Sequence, residues 1–350
     1  MSPTDLYRDA AQSAKDAGLR YFTDDRPGLR RRRAGKGFAY YAATGERITD
    51  KATLTRIASF AIPPAWADVW ISPSPTSHVQ VTGRDARGRK QYRYHPKWAA
   101  QRDETKFARL YTFGAKALPR LRARIREDTG GAGALDQRRV VATVLALMDA
   151  ANIRVGNREY ARTNESFGLT TLLDDHVQVR GAALTFEFVG KKGVAHKISV
   201  RDRRLARLVR QCQELPGQQL FQYIGEDGQR HAVDSADVND YIREASGHDF
   251  TAKDFRTWGG TVRLVECLER LLDEQPDLPP DQALREATKD VAAHLGNTPT
   301  VCSKYYIHPQ VVSLFRDGKL VEFLRKHNAA KSQPDDELSG TERLVLRMLE

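Results

Sequence analysis

The chain has 350 residues and a mass of 39.4 kDa, and 40% of its residues are hydrophobic and 29% charged. This length exceeds the ~100–200 residues of a typical domain, and the composition excludes a fibrous or membrane-embedded class. No stretch approaches the ~18 consecutive apolar residues of a membrane span, no secretion signal opens the chain, and three distant cysteines exclude a disulfide framework. We therefore expect a soluble, cytoplasmic protein with two domains.

The net charge of +11 is concentrated near the N-terminus. Residues 1–100 hold 18 Lys and Arg against 9 Asp and Glu, whereas residues 101–350 hold 38 against 36. This uneven excess favours a polyanionic partner, most simply nucleic acid, although a basic surface that only maintains solubility is also compatible with it. An acidic membrane is disfavoured as the partner, because this region has no basic amphipathic helix with apolar anchors.

The N-terminal part of the chain predicts a small, mainly β domain over residues 1–98. Aromatic and β-branched runs between turn residues indicate strands. The predicted strands cover residues 38–41, 69–71, 78–81 and 91–94. Short helices are predicted over 5–18 and 50–60, with a turn at 24–28.

Beyond Pro96 the pattern becomes mainly helical, which predicts a second domain over residues 99–332. Apolar residues spaced by three and four around Val140–Met148 predict a helix with one buried face. Further helices are predicted over residues 202–213, 236–246, 258–274, 280–295 and 309–326. A polar linker and a short helix are predicted over 333–350.

A change of period to two over residues 177–200 predicts a β-hairpin inside this helical domain. Leu184, Phe186 and Phe188 alternate with polar neighbours, and a tight connection follows. The hairpin therefore carries Lys191 and its neighbouring lysine at the tip.

The motifs of several common enzyme classes are absent. The chain contains no GxxxxGK[ST], HExxH or GxSxG, which argues against P-loop nucleotide hydrolysis, zinc proteolysis and the commonest serine hydrolases. The nine histidines are scattered without the spacing of metal ligands. We expect a mechanism that uses neither a metal nor a cofactor.

Several cations occupy distinctive local settings. Arg154 follows the end of an apolar helix, Lys191 lies at the hairpin tip, and Arg256 begins a helix beside Trp258 and two glycines. Each alone has an ordinary explanation: an arginine can complement a helix dipole, and a lysine can protect a strand edge. A tyrosine pair at 305–306 would ordinarily belong to a core or a helix cap.

Together, these segments resemble the type IB DNA topoisomerases of the compact poxvirus and bacterial kind. The resemblance runs from about Arg20 to Lys326. The matching blocks, in order, are DDRPGLRRRR, GKGFAYYAATGERITD, IPPAWADVWI, GRDARGRKQYRYHPKW, ANIRVGNREYARTNESFGLTTL, FEFVGKKGVAHKI, KDFRTWGGT and LGNTPTVCSKYYIHP. One such block would be weak evidence, whereas eight in the same order identify the chain as a member of the family.

The resemblance implies the catalytic residues. They are two arginines, a lysine, an asparagine and a tyrosine nucleophile: Arg154, Arg256, Lys191, Asn297 and Tyr306. Tyr306 is preferred to Tyr305 because the family's nucleophile stands nine residues after the position of Asn297. Many relatives have histidine at that position, and an amide can donate a hydrogen bond there but cannot act as an acid or base.

The resemblance also implies an α+β fold in which the small, mainly β domain closes over the duplex as a clamp. The larger, mainly helical domain is then catalytic and contains the hairpin in a small sheet. Gln91, Tyr92 and Tyr94 match residues on a strand that faces the major groove, and Tyr160 and Lys253 match phosphate contacts. Alternation places Tyr92 and Tyr94 on one face of the strand, although two core aromatics would show the same pattern.

The implied activity is relaxation of supercoiled double-stranded DNA through a 3′-phosphotyrosyl intermediate. We expect a monomer that acts on the nucleoid without ATP or metal. A tyrosine recombinase would use the same catalytic set, but the basic β domain favours the topoisomerase. A non-catalytic DNA-binding relative is disfavoured because binding alone does not require the tyrosine.

Overall fold

The computed structural model describes residues 14–35, 37–86, 88, 90–131, 133–320, 322–323 and 337–350. The chain divides into two compact units after Ala108. This division falls inside a helix, α2 (Pro96–Thr112), as does the domain boundary predicted after residue 98. No helix in the described ranges has both the length and the apolar character needed to cross a bilayer.

The first unit is built on a five-stranded antiparallel sheet with the order β2-β1-β3-β4-β5. Its strands are β1 (Leu29–Ala34), β2 (Gly37–Tyr41), β3 (Ala67–Ile71), β4 (Val79–Arg84) and β5 (Lys90–Tyr94). Helix α1 (Lys51–Ser59) is capped by the Asp50 side chain and packs Ile57 against Val69, Ile71 and Val81. The four predicted strands and the turn at 24–28 are confirmed, whereas most of the helix predicted over 5–18 lies outside the described residues.

The run of four arginines forms a strand, β1, which the sequence analysis did not predict. Arg31 is half-buried and donates to the carbonyl of Pro63 at 3.1 Å and to the carbonyl of Trp66. Its guanidinium lies 4.0 Å from the centre of the Phe38 ring. Because Arg31 packs as well as carrying charge, the basic segment is part of the sheet.

The second unit is mainly helical, which confirms the predicted fold class. Its helices after α2 are α3 (Leu118–Thr129), α4 (Gln137–Ala151), α5 (Arg158–Asn164), α6 (Arg203–Gln213), α7 (Ser235–Ser246), α8 (Ala252–Glu274), α9 (Pro280–Leu295), α10 (Pro299–Tyr305), α11 (Pro309–Arg316) and α12 (Gly340–Leu349). One antiparallel sheet contains β6 (Val177–Arg180), β7 (Ala183–Val189) and β8 (Ala195–Arg201), and a second pairs β9 (Gln222–Ile224) with β10 (Arg230–Ala232). Strands β7 and β8 are the predicted hairpin.

Three helix predictions are corrected. The predicted helix 258–274 begins at Ala252, because the Asp254 carboxylate accepts a hydrogen bond from Thr251 N–H at 2.8 Å and caps the helix. The predicted helix 309–326 is interrupted after Arg316, because Gly318 takes the left-handed conformation with φ 71°, and Leu320, Glu322 and Phe323 are helical again. The helix around Val140–Met148 is buried on nearly all sides instead of on one face, since it runs through the middle of the core.

The last helix, α12, is an integral part of the second unit. Leu344, Val345 and Met348 are buried in its core. Glu342 accepts from Arg122 at 2.8 Å and from Trp258 Nε1 at 3.0 Å. Arg122 also binds Asp149 of α4, so that one ionic network fastens α12 to three other helices.

Replacing Glu342 with alanine should lower the free energy of unfolding of this unit by about 2–4 kcal/mol. The change leaves Trp258 Nε1 without its acceptor and Arg122 with one carboxylate instead of two. Urea unfolding followed by tryptophan fluorescence measures the loss. Glu274→Ala, which removes only an exposed pair with Arg270, should cost less than about 1 kcal/mol, and equal losses would contradict the role of the network.

The same network predicts how stability depends on pH. Burial alone would raise the pKa of the Glu342 carboxyl, but hydrogen bonds from Arg122 and Trp258 outweigh burial and hold it below its ordinary value of 4.5. The stabilisation from Glu342 is therefore present above about pH 4.5 and is lost as the pH falls through the lowered pKa.

Candidate active site

The C-terminal end of α4 delivers the first arginine of the site. Asn152 caps the helix in the left-handed conformation, with φ 53°, so that the chain turns before Arg154. The half-buried guanidinium of Arg154 donates from Nη2 to the Gly296 carbonyl at 3.1 Å and to Asn297 Oδ1 at 2.7 Å. Arg154 is thereby joined to the segment that follows α9.

Arg256 lies in the second turn of α8 and is only 5% exposed. It donates from Nη1 to the Asn152 carbonyl, and from Nη2 to the Leu295 carbonyl at 2.7 Å. These carbonyls stand at the C-terminal ends of α4 and α9, where the helix dipoles favour a cation. Gly259 permits the close approach, because a Cβ atom there would overlap the Asn152 side chain.

The turn that ends α9 positions Asn297. Gly296 has a φ of 57°, and the Asn297 N–H donates to the Ala292 carbonyl at 2.9 Å, as in a Schellman motif. The amide oxygen of Asn297 already accepts a hydrogen bond from Arg154. The amide nitrogen Nδ2 is buried and has no hydrogen-bond partner in the described part of the chain. Asn297 therefore offers the site a hydrogen-bond donor.

Tyr306 lies in the short connection between α10 and α11. Its backbone packs so closely on α8 that a Cβ atom at Gly260 would lie 2.6 Å from the Tyr306 carbonyl oxygen. The guanidinium carbon of Arg256 lies 5.4 Å from the centre of the Tyr306 ring. The ring of Tyr305 instead lies 5.2 Å from Lys304 Nζ, so that Tyr306 is the member of the pair that joins the arginines.

Two buried donors of the site lack an acceptor within the described ranges. Arg256 Nε and Asn297 Nδ2 have no hydrogen-bond partner among the described residues. Such groups are costly to bury unpaired, so an external acceptor bound here would stabilise both of them. With Arg154 adjacent, the acceptor that fits is an anion with several oxygens, such as a phosphate.

The pKa values of both arginines respond to this crowding. Burial lowers the pKa of Arg256 to about 10, and repulsion from Arg154 adds to the effect, while Tyr306 opposes it. Burial also lowers the pKa of Arg154, and Tyr306 again opposes the shift. An anion bound between the guanidiniums would relieve their repulsion and raise both pKa values.

Lys191 is exposed at the tip of the hairpin, as predicted. It begins a short 3₁₀ turn, residues 191–193, in which Lys192 has a left-handed φ of 67°. Lys191 thus differs from Arg154 and Arg256, because its charge lies on an exposed turn, whereas the two guanidiniums lie against helix ends.

His196 is a residue of the site that the sequence analysis missed. It lines a small cavity with Arg154 and Arg256 and stacks on Phe188 across the hairpin, with 5.0 Å between ring centres. The alternation along β8 was the available signal, since it places His196 on the same inward face as Ile198 and Val200.

The predicted major-groove residues lie on β5 of the first unit. The Tyr92 and Tyr94 rings stack with their centres 5.8 Å apart, which confirms that they share one face of the strand. They are 43% and 41% exposed, so they are not core aromatics. Gln91 donates to Asp85 Oδ2 at 3.0 Å.

The predicted phosphate contacts lie near the starts of two helices of the second unit. Lys253 is exposed in the first turn of α8, one turn before Arg256. Tyr160 is half-buried in the first turn of α5. Helix N-termini attract phosphate groups, so both positions suit contacts with a nucleic acid backbone.

The described ranges contain no group of three or more His, Cys, Asp or Glu side chains that could hold a metal ion. The three cysteines are free and buried. Burial raises the pKa of Cys302, the one nearest Tyr306 in the chain, to about 11, so its thiol stays protonated and unreactive at neutral pH.

Comparison with known proteins places both units in one family. Residues 94–333 match the family described as eukaryotic DNA topoisomerase I, catalytic core, and residues 37–85 match bacterial DNA topoisomerase IB, N-terminal domain. The chain is 33% identical over 311 residues to DNA topoisomerase 1B of Acanthamoeba polyphaga mimivirus, covering 86% of this chain and 90% of the relative. It is 23% identical over 248 residues to DNA topoisomerase I of monkeypox virus and to DNA topoisomerase 1B of vaccinia virus strain Copenhagen, covering 70% of this chain and 74% of each relative.

Proposed function

This chain belongs to the type IB DNA topoisomerase family and is a DNA topoisomerase, and we propose that Tyr306 is the nucleophile with which it relaxes supercoiled duplex DNA. The proposal is carried by one observation: two buried donors lack an acceptor in the described part of the chain, one on Arg256, whose guanidinium lies beside the Tyr306 ring, and one on Asn297. A scissile phosphate would supply the missing acceptor.

In the proposed reaction, the phenol oxygen of Tyr306 attacks the phosphorus and loses its proton to solvent. A bond forms between that oxygen and phosphorus, and the bond from phosphorus to the 5′-oxygen breaks. The non-bridging oxygens gain charge in the transition state and are held by Arg154, Arg256 and Asn297. Lys191 gives a proton to the leaving 5′-oxygen.

The product is a 3′-phosphotyrosyl enzyme and a free 5′-hydroxyl, so the free energy of the broken bond is retained in the adduct. Rotation of the free strand releases torsion. The 5′-hydroxyl then attacks the phosphorus and returns its proton to Lys191. The bond from phosphorus to the Tyr306 oxygen breaks, and the phenol regains its proton from solvent. We expect no requirement for ATP or for a metal ion, since positioned cations stabilise the transition-state charge directly.

We further propose that the chain acts as a monomeric clamp. The positive charge concentrated in residues 1–100 and the exposed Tyr92–Tyr94 pair support contact of the first unit with the duplex, through Gln91 as well as the two rings. Tyr160 and Lys253 would hold the backbone from the catalytic side. We place the enzyme in the cytoplasm, on the nucleoid, as the bacterial resemblance implies.

The test of the proposed function is relaxation of plasmids supercoiled in either direction, in EDTA, without ATP, at low and moderate salt. Relaxation of both signs supports a swivelling enzyme that needs no metal. Binding without relaxation would overturn the proposal, and strand exchange between paired sites would then indicate a recombinase. Phosphate contacts should make binding weaken steeply with salt.

Asn297→Asp should slow cleavage by about 100-fold. The carboxylate keeps the size of the amide and its hydrogen bond with Arg154, but it replaces the buried Nδ2 donor with an anion that faces the phosphate. Single-turnover formation of the covalent adduct measures the effect. A rate equal to that of the unaltered enzyme would show that Asn297 does not contact the phosphate.

A further inference from the structure

His196 connects two segments that carry different parts of the catalytic set. On one side, a Cβ atom at Gly190, next to Lys191, would lie 2.7 Å from the imidazole. On the other side, a Cβ atom at Gly296, next to Asn297, would overlap the same ring. The imidazole therefore fills the space between the base of the hairpin tip and the turn after α9, and both glycines are required for that fit.

The Phe188 ring fixes the plane of the imidazole. The two rings are nearly parallel, with an interplanar angle of 16°, and the residues are directly paired across strands β7 and β8. Because His196 belongs to the paired part of the hairpin, any contact that it makes outside the hairpin also helps to position the tip.

The charges around His196 are unequal on its two sides. The inner cavity that it lines is bounded by cationic or titratable groups from the segment after α4 and from α8 and α9, namely Arg154, Arg256 and His294. The outer groove is bounded by titratable groups from β7, β8 and the segment after α5, namely Glu187, Lys197, Glu165 and His176. A charge on His196 would therefore add a third cation beside the two arginines.

We propose that His196 is a positioning residue that holds the hairpin carrying Lys191 against the turn carrying Asn297, and that it does so only while its imidazole is neutral. This inference rests on the proposed function, since it concerns delivery of the Lys191 proton. Protonation would set the imidazole against Arg154 and Arg256 and release the hairpin from the site.

The local electrostatics agree with this role. Burial lowers the pKa of His196, and the charges of Arg154 and Arg256 lower it further. The imidazole is thus neutral at pH 7 and becomes charged only below its ordinary value of 6.5. The hairpin is expected to be held at neutral pH and released as the solution becomes acidic.

The first experiment compares His196→Ala with the unaltered enzyme on two cleavage substrates. One has the normal 5′-oxygen at the scissile bond, and the other has a 5′-bridging sulfur, which leaves without needing a proton. We expect His196→Ala to cleave the oxygen substrate about 100-fold more slowly and to cleave the sulfur substrate within a few-fold of the normal rate. Equal slowing on both substrates, or no slowing on either, would overturn the inference.

The second experiment measures the pH dependence of cleavage of the oxygen substrate. His196→Phe retains an aromatic ring for the stack on Phe188 but cannot be protonated. The unaltered enzyme should lose activity below about pH 6.5, and His196→Phe should lack that acidic decline. A decline that persists in His196→Phe would show that another group, such as His294, causes it.

Two controls separate this inference from the proposed function. His231→Ala alters an exposed histidine on β10 that is paired with Asp227 and should behave as the unaltered enzyme on both substrates. If the unaltered enzyme forms no covalent adduct, the proposed function fails. If it forms the adduct and His196→Ala cleaves both substrates normally, only the role of His196 fails.

Discussion

Tyr306→Phe should abolish both the covalent adduct and plasmid relaxation while leaving DNA binding unchanged. The substitution removes one oxygen, which is the atom that would bond to phosphorus in the proposed reaction. The substitution also removes the hydrogen bond between the phenol and Arg256. The packing of the segment on Gly260 and the position of the ring beside Arg256 involve the backbone and the ring carbons, so the fold should be retained.

Trapping on a labelled duplex and denaturing electrophoresis detect the adduct, and a mobility shift on the same duplex measures binding. Tyr305→Phe is the matched control and should cleave at nearly the normal rate, because the Tyr305 ring lies beside Lys304. An adduct that survives in Tyr306→Phe and disappears in Tyr305→Phe would move the nucleophile to the neighbouring residue.

Lys191→Ala should slow cleavage of the oxygen substrate by roughly 10²- to 10⁴-fold, the usual contribution of a general acid. The 5′-bridging sulfur substrate should restore the rate, since its leaving group needs no proton. Single-turnover cleavage of both substrates measures the effect. Lys197→Ala is the control, because Lys197 lies on the same hairpin but is exposed and paired with Glu187.

A second outcome would decide against this role. If Lys191→Ala is slow on the sulfur substrate as well, Lys191 does not donate the proton and contributes through the phosphate charge instead. The cleavage rates of Lys191→Ala and His196→Ala on the oxygen substrate can also be compared. Replacing a positioning residue should slow cleavage less than replacing the acid that it positions.

The spacing of apolar residues in the sequence was sufficient to predict most helices and the β7–β8 hairpin. It failed where a local interaction overrode the average pattern. The start of α8 depends on the cap between Thr251 and Asp254, which precedes the first strongly apolar turn. Strand β1 was missed because four arginines suggest a solvated loop, whereas the side chain of Arg31 packs on Phe38.

The candidate site was predictable only through the family resemblance. Arg154, Arg256 and Asn297 belong to segments far apart in the chain, and the hydrogen bonds of the two arginines to helix-end carbonyls are tertiary contacts that no local pattern encodes. For His196, the alternation along β8 indicated only an inward-facing position. Its importance arises from Gly296, which approaches it across the fold.

The position of Glu342 in the chain has a consequence during protein synthesis. Glu342 follows Tyr306 by 36 residues, which corresponds to roughly 2–7 s of translation at bacterial and eukaryotic elongation rates. During that interval the nascent chain already contains every residue of the proposed catalytic set but lacks the helix that completes the core around Trp258. We expect the nascent chain to acquire cleavage activity only after α12 has been made, so that an unfinished polypeptide on the ribosome does not nick DNA.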